Sequence, residues 1–282
     1  MNLLRPFLAA VAAFLIWGFL PFYWKALKEI NALEVLAYRI VMTFILLVVY
    51  QFFTNRNTLI KLFNTITLKK HVISSIFLAS NWLIYVWGVV NNHIIECSLG
   101  YYLTPLVSVF LGGLIFKEQF SNIQKISIIL ATLSVVNIIV SLKIIPFIAI
   151  GLAFSFSMYS VFRKKSNLSS IDGLTVESFL LSIPFATYIF TYGSNLITIS
   201  PTISFLLLFS GVVTATPLLL YVYSIRELPL STVGMLQYIG PTLMFLIGLF
   251  YYKESFSLMY FLSFLIIWLA VILFTYESIK NR

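Results

Sequence analysis

Charge, cysteine and histidine are all scarce in this chain. Of its 282 residues, 10% are charged, two are histidine, and Cys97 is the single cysteine. One cysteine excludes an intrachain disulfide, and with it a secreted disulfide framework. The histidines, His71 and His93, both fall near the ends of apolar runs, which leaves metal chemistry and buried acid-base catalysis few candidates. No catalytic residue, metal ligand or cofactor is expected on this basis. Long polar stretches are missing too. The longest connection, Thr54 to His71, has no room for a soluble enzyme domain or a nucleotide-binding domain. Acidic residues number nine against 18 basic ones, a net charge of +9. The basic residues form short clusters between apolar runs rather than one charged face, so their expected role is topological and no nucleic-acid partner is implied.

Apolar side chains are abundant: they make up 61% of the chain, and the mean hydropathy is +1.01. A bilayer core about 30 Å thick needs roughly 20 apolar residues per helix, and runs of that length recur from end to end. Lipid is therefore an expected partner throughout. The first run, about Leu3 to Leu27, holds Trp17, Pro21 and Trp24 and lacks the small-residue cleavage pattern of a signal peptide, so it reads as a retained helix. Charge clusters and Gly, Pro, Asn and Ser punctuation predict helices over 4–27, 33–53, 72–91, 96–116, 122–142, 145–162, 173–192, 202–224, 230–252 and 257–276. Ten crossings put both termini on one side. That side would hold most of the basic residues, among them Arg5, Arg56, Lys61, Lys69, Lys70, Lys117, Arg163, Lys164, Lys165 and Arg226, against Lys25, Lys28, Lys143 and Lys253 opposite. The positive-inside rule then predicts cytoplasmic termini.

An internal repeat organises the chain. Sliding it by 136 residues without a gap matches Tyr85 to Tyr221, Tyr102 to Tyr238, Pro105 to Pro241, Gly112 to Gly248 and Lys117-Glu118 to Lys253-Glu254, with Phe120-Ser121 matching Phe256-Ser257. The expected units are residues 1–142 and 143–282, each of five helices. Because five is odd, the second copy must cross the membrane in the opposite sense. The predicted fold is an all-α polytopic membrane protein of ten helices in two inverted five-helix repeats, the arrangement of carriers that rock around a central site.

Several stretches resemble a known family, the drug/metabolite transporter superfamily with its paired EamA repeats, and within it the RarD-type branch. They are Ile16-Trp17-Gly18, Glu34 to Arg39, Asn81-Trp82 with Tyr85-Val86-Trp87, Ser98 to Tyr102 with Pro105-Leu106, and Leu236 to Thr242. The resemblance covers nearly the whole chain. It implies a carrier in a cell membrane, a bacterial inner membrane, that exports or exchanges a small metabolite or drug through a cavity lined mainly by the first, third, fourth, sixth, eighth and ninth helices. The substrate, the driving force and the oligomeric state stay open. A channel or receptor is the alternative reading, and an intramembrane enzyme a more distant one.

The candidate cavity residues follow from helical spacing. Asn81, Tyr85, Gly88 and Asn92 share one face, and the repeat places Pro217 and Tyr221 on the matching face. Such a polar stripe either lines a cavity or serves interhelical packing. Tyr102 with Pro105, and Tyr238 with Pro241 and the adjacent Gln237, form the next pair of faces. Each proline frees a backbone carbonyl, so Pro21, Pro105, Pro217 and Pro241 are candidates for gating hinges or for fixed kinks. Trp17 is deep enough to wall a planar or cationic ligand. Arg39 is the only basic residue well inside a span, and charge at that depth is a functional hypothesis by default. Glu34 sits about 140° around the same helix and is a poor partner. Arg39 then snorkels to the interface, pairs with another helix, or contacts the ligand. Glu96, His93 and Glu177 read as solvated interface residues, Lys117-Glu118 and Lys253-Glu254 as helix-end residues, and Ser121 with Gln124 as a capping box.

Overall fold

The computed structural model describes residues 3–91, 93–142, 146–194, 196, 198–251 and 258–280. Among these the chain forms twelve α-helices and no strand: α1 (Leu4–Ala26), α2 (Ala32–Thr54), α3 (Arg56–Leu62), α4 (Thr65–Val90), α5 (Ile94–Phe116), α6 (Asn122–Leu142), α7 (Phe147–Lys165), α8 (Ser170–Tyr192), α9 (Pro201–Glu227), α10 (Leu230–Leu236), α11 (Ile239–Phe250) and α12 (Leu258–Lys280). Nine spans among the described residues are long and apolar enough to cross a membrane, one of them running from α10 into α11. The helix α7, expected from the sequence to be a further crossing, is more polar and ends in Arg163, Lys164 and Lys165. Asn92, Lys143, the Lys253-Glu254 pair and Phe256-Ser257 lie outside the described residues.

The elements differ from the sequence expectation in three places. The stretch from Thr54 to His71 is not a plain connection. Asn55 and Asn64 accept hydrogen bonds from the backbone N–H groups of Thr58 and Thr67, which starts α3 and then α4 several residues early. Leu59 and Leu62 bury the inner face of α3 against α2 and α8. Second, the basic triplet expected outside the membrane completes the last turn of α7, where the Lys164 Nζ donates to the carbonyls of Ile225 and Leu228 at 2.5 Å and so satisfies the end of α9. Third, the single helix expected over 230–252 is broken at Gln237 and Tyr238 into α10 and α11. Pro241 brings no N–H to the Gln237 carbonyl, which accepts instead from Gly240 at 3.1 Å in a tighter turn. The capping box is present: Ser121 N–H donates to Gln124 Oε1 at 3.0 Å, and Gln124 N–H donates to Ser121 Oγ at 3.3 Å.

The packing obeys the repeat. A shift of 136 residues carries α1 onto α7, α2 onto α8, α4 onto α9, α5 onto α10 with α11, and α6 onto α12. Accordingly α1 packs on α9 as α7 packs on α4, and α2 packs on α9 as α8 packs on α4. The pairs α2 with α8, α5 with α10, and α6 with α12 meet their own counterparts. At the α5–α10 seam, Tyr238 Oη donates to the carbonyl of Tyr102, its partner 136 residues away, at 3.3 Å. Small residues bring these elements close. A Cβ on Gly234 would stand 2.9 Å from Ser108 Cβ, and one on Gly112 would stand 3.2 Å from the Ser231 backbone nitrogen. The outer faces are apolar and exposed, for example Ile129, Leu133 and Val140 on α6 and Leu265, Leu269 and Ile272 on α12, as a lipid solvent requires.

Candidate functional site

A cavity of about 270 Å³ lies between the repeats. Its residues come from the second halves of α1 and α4, the first halves of α2, α5 and α7, the middle of α9, and the junction of α10 and α11. It therefore occupies the membrane from the midplane toward the face opposite the termini. Trp17, Pro21 and Trp24 rise along α1 at the spacing that puts them on one side of a helix. Asn81, Trp82 and Tyr85 face them from α4, Tyr101 and Thr104 from α5, and Gln237 and Pro241 from the broken helix.

Among the described residues, Arg39 carries the only charge on this wall. Its Nε donates to Thr214 Oγ1 at 3.1 Å. Its guanidinium lies 4.5 Å from the centroid of Trp24 and 5.4 Å from that of Trp82, within cation-π range of both. Among the described residues no carboxylate pairs with it and nothing accepts from its terminal nitrogens. Glu34, on the same helix, is engaged elsewhere: it accepts from the Ser194 backbone N–H at 2.6 Å and from Ser194 Oγ at 3.0 Å. Gln237 is the second underused polar group, since it is buried and its Oε1 has no hydrogen-bond partner. Asn81 is committed to the scaffold, its Nδ2 donating to the Leu152 carbonyl at 3.0 Å and to Ser155 Oγ at 3.2 Å.

An aromatic floor closes the cavity near the midplane. Trp17 meets Phe14 at 5.6 Å, Tyr221 at 5.5 Å and Phe156 at 5.9 Å between ring centroids, and Phe156 meets Tyr221 at 5.1 Å. Below the floor, toward the termini, Tyr221 Oη and Ser160 Oγ share a hydrogen bond of 2.6 Å. Further down, Glu177 is fully buried, and its carboxylate accepts from Ser74 Oγ at 2.6 Å and Tyr159 Oη at 3.2 Å. His71 Nδ1 stands 3.4 Å away and Arg163 Nε 3.5 Å away. At the terminal face itself, the Glu118 carboxylate accepts from the backbone N–H groups of Leu230 at 2.6 Å and Ser231 at 3.0 Å. A carboxylate there satisfies donors that the first turn of α10 leaves open.

These positions sort the sequence candidates. Trp17, Arg39, Asn81, Tyr85, Gln237, Pro21 and Pro241 are brought to one cavity. Tyr102, Tyr221 and Tyr238 are not: all three are buried in packing, Tyr221 beneath the floor and the other two in the α5–α10 seam. Pro105 and Pro217 sit inside helices that run through them unbroken. Glu177 is a buried ion-pair partner rather than a solvated interface residue, because Ser74 and His71 of α4 and Tyr159 and Arg163 of α7 converge on it. Glu96 also has a defined role, accepting from His93 Nδ1 at 3.0 Å and from the Ile148 backbone N–H at 3.3 Å. Trp24 shares the Trp17 and Pro21 face of its helix, where its depth suggests an interfacial aromatic belt, but it lines the cavity; Trp82, Tyr101 and Phe156 are wall residues that helical spacing does not single out. Trp82 and Tyr101 were present in the family-like stretches, so a signal existed for them; Phe156 has none beyond its apolar helix. Among the described residues no three His, Cys, Asp or Glu side chains are placed to hold a metal ion.

The family model for the EamA-like transporter family matches this chain twice, over residues 4–140 and 143–276. The chain belongs to that family. It is thus a multi-pass membrane transporter, and its family points away from an enzyme. Relatives agree over nearly their full length. The chain is 40% identical over 280 residues to a Bacillus subtilis protein called uncharacterized transporter YojE, covering 95% of this chain and 92% of that one. It is 34% identical to the protein RarD of Escherichia coli, covering 98% of this chain and 95% of the relative. A solved crystal structure at 16% identity superposes with a TM-score of 0.72 over 98% of both chains, which shows a shared fold.

Proposed function

We propose that this EamA-family protein is a secondary carrier that moves a small molecule by alternating access, with export or exchange as its direction. It would reside in a bacterial inner membrane with both termini in the cytoplasm, the side its basic residues favour. The observation that carries the reading is the unequal state of two equivalent regions. On the side away from the termini, Trp24 and Tyr85 flank a cavity; 136 residues on, Ser160 and Tyr221 are hydrogen-bonded and closed. Inverted repeats can exchange these two states by rocking, which opens one side as the other shuts. Trp17, Arg39, Tyr85 and Gln237 would contact the cargo, and the Pro241 break would let α11 move against α10. The Glu118 contact to α10 would latch the closed side.

Counterflow tests this directly. Proteoliposomes containing the full chain, preloaded with unlabelled metabolites, should take up the labelled counterpart transiently and saturably. Absence of saturable exchange across a broad metabolite panel would rule the carrier out, and unitary conductance in a planar bilayer would replace it with a channel.

A further inference from the structure

We propose that the cavity is built for a small planar monoanion, a carboxylate on an apolar or aromatic body, held by the free edge of Arg39; this rests on the transport reading only for the claim that the bound molecule is then carried. Three observations lead to it. First, Arg39 is a charge within the membrane that no carboxylate of the described residues neutralises, and one hydrogen bond to Thr214 uses only its Nε. Cation-π contact with Trp24 and Trp82 holds the guanidinium in place but accepts none of its terminal N–H groups. Those groups form the edge that matches a carboxylate in bidentate geometry.

Second, the charge is not a requirement of the scaffold. The repeat equivalent of Arg39 is Thr175, fully buried and bonded only to its own helix through the Ile171 carbonyl at 2.9 Å. The same packing position therefore folds without a cation. An uncompensated charge at membrane depth is costly enough that one kept by a single repeat points to a ligand.

Third, the remaining lining selects the rest of the molecule. Among the described residues it contains no acidic side chain, so an ammonium group on the ligand would find no carboxylate there and would face Arg39. A single cation and few hydroxyl or amide donors suit one negative charge rather than the two of a phosphate monoester. Trp17, Tyr85, Tyr101 and Phe156 offer ring faces and edges for a flat body, and the unpartnered Gln237 amide can meet one polar substituent. The volume, about 270 Å³, is just below the range of about 300 to 1,000 Å³ usual for small-molecule sites, which limits that body to one or two rings.

The test is binding to the purified full chain in micelles or neutral-lipid nanodiscs, read by quenching of the cavity tryptophans. Benzoate, phenylacetate and indole-3-acetate are compared with their primary amides and with benzylamine. At least one acid is expected to bind tenfold or more tightly than its amide, with benzylamine weaker still. Arg39→Gln should remove that preference by weakening the acid tenfold or more while leaving the amide unchanged. Thr214→Val, which keeps the charge, should retain the preference. Equal binding of acid and amide, tighter binding of the amine, no binding by any acid, or an acid preference that survives Arg39→Gln would each overturn the proposal. If Arg39→Gln does not fold, the acid, amide and amine ratios on the unaltered chain decide alone. Counterflow separates the two readings. Arg39-dependent acid binding without exchange would sink the carrier and keep the site, whereas Arg39-independent exchange of neutral or cationic compounds would keep the carrier and sink this assignment.

Discussion

Tyr85 and Tyr221 occupy equivalent positions in the two repeats, yet the first stands on a cavity wall and the second is sealed beneath an aromatic floor. The neighbours account for the difference. Tyr221 reaches Ser160, a small residue that accepts or donates at 2.6 Å, and Phe156 and Trp17 pack over the pair. Tyr85 would meet Trp24 in the matching place, and Trp24 is turned instead to the Arg39 guanidinium. The sealed region is also tied more heavily, by the Glu177 cluster and by Glu118 at the start of α10. Equivalent backbones thus hold one region shut with hydrogen bonds and ion pairs and leave the other lined with rings around a lone cation. An inverted repeat provides the symmetry; side-chain differences decide which side is closed.

The contrast between the two regions yields ordered expectations. Glu177→Leu should have the largest effect, because it leaves Arg163 buried without its carboxylate; breaking such a pair costs about 3 to 5 kcal/mol. Thermal unfolding of the purified protein checks this, and a melting point within a degree of the parent would show that the cluster does not hold the sealed side. Gly234→Ala comes next. Its Cβ meets Ser108 and the Pro105 carbonyl, and overpacking of this kind costs about 1 to 3 kcal/mol, so α10 should be pushed from α5 and unfold at lower temperature. An unchanged melting curve would mean that the seam has slack.

Glu118→Ala should cost the closed side about 1 to 2 kcal/mol, the usual value of a charged cap. Spin labels at Lys125 and Glu227, on a Cys97→Ser background, should then report longer or broader distances at the terminal face. Identical distance distributions would remove Glu118 as a latch. The smallest effect belongs to Tyr221→Phe, which deletes only the bond to Ser160. Interhelical hydrogen bonds in membranes average about 0.6 kcal/mol, so a modest drop in melting temperature is expected, without loss of fold. A loss several times larger would show that this bond, rather than ring packing, keeps the floor closed.

Much of the architecture was legible because lipid imposes a simple rule: each crossing must be a helix, and its outer face must be apolar. Helix starts were less legible where polar residues act as caps, as Asn55 and Asn64 do in a stretch that composition alone reads as a connection. The site was half legible. Arg39 and Trp17 stand out by depth and chemistry, whereas Phe156 is one phenylalanine among 27 and acquires a role only when α7 sets it beside Trp17. Glu177 departs from expectation for a related reason: its position near a helix start says interface, but side chains from α4 and α7 converge on it.

The sequence by itself determined the solvent, the all-helical architecture and the repeat, since these depend on residue type and spacing along one chain. Only the tertiary structure decided which tyrosine of each pair sees the cavity, that Glu118 caps a helix 112 residues away, and that Arg39 has rings but no carboxylate beside it. Those outcomes depend on distances between helices remote in sequence. The period of an apolar pattern says which face turns inward, but it cannot say what that face meets.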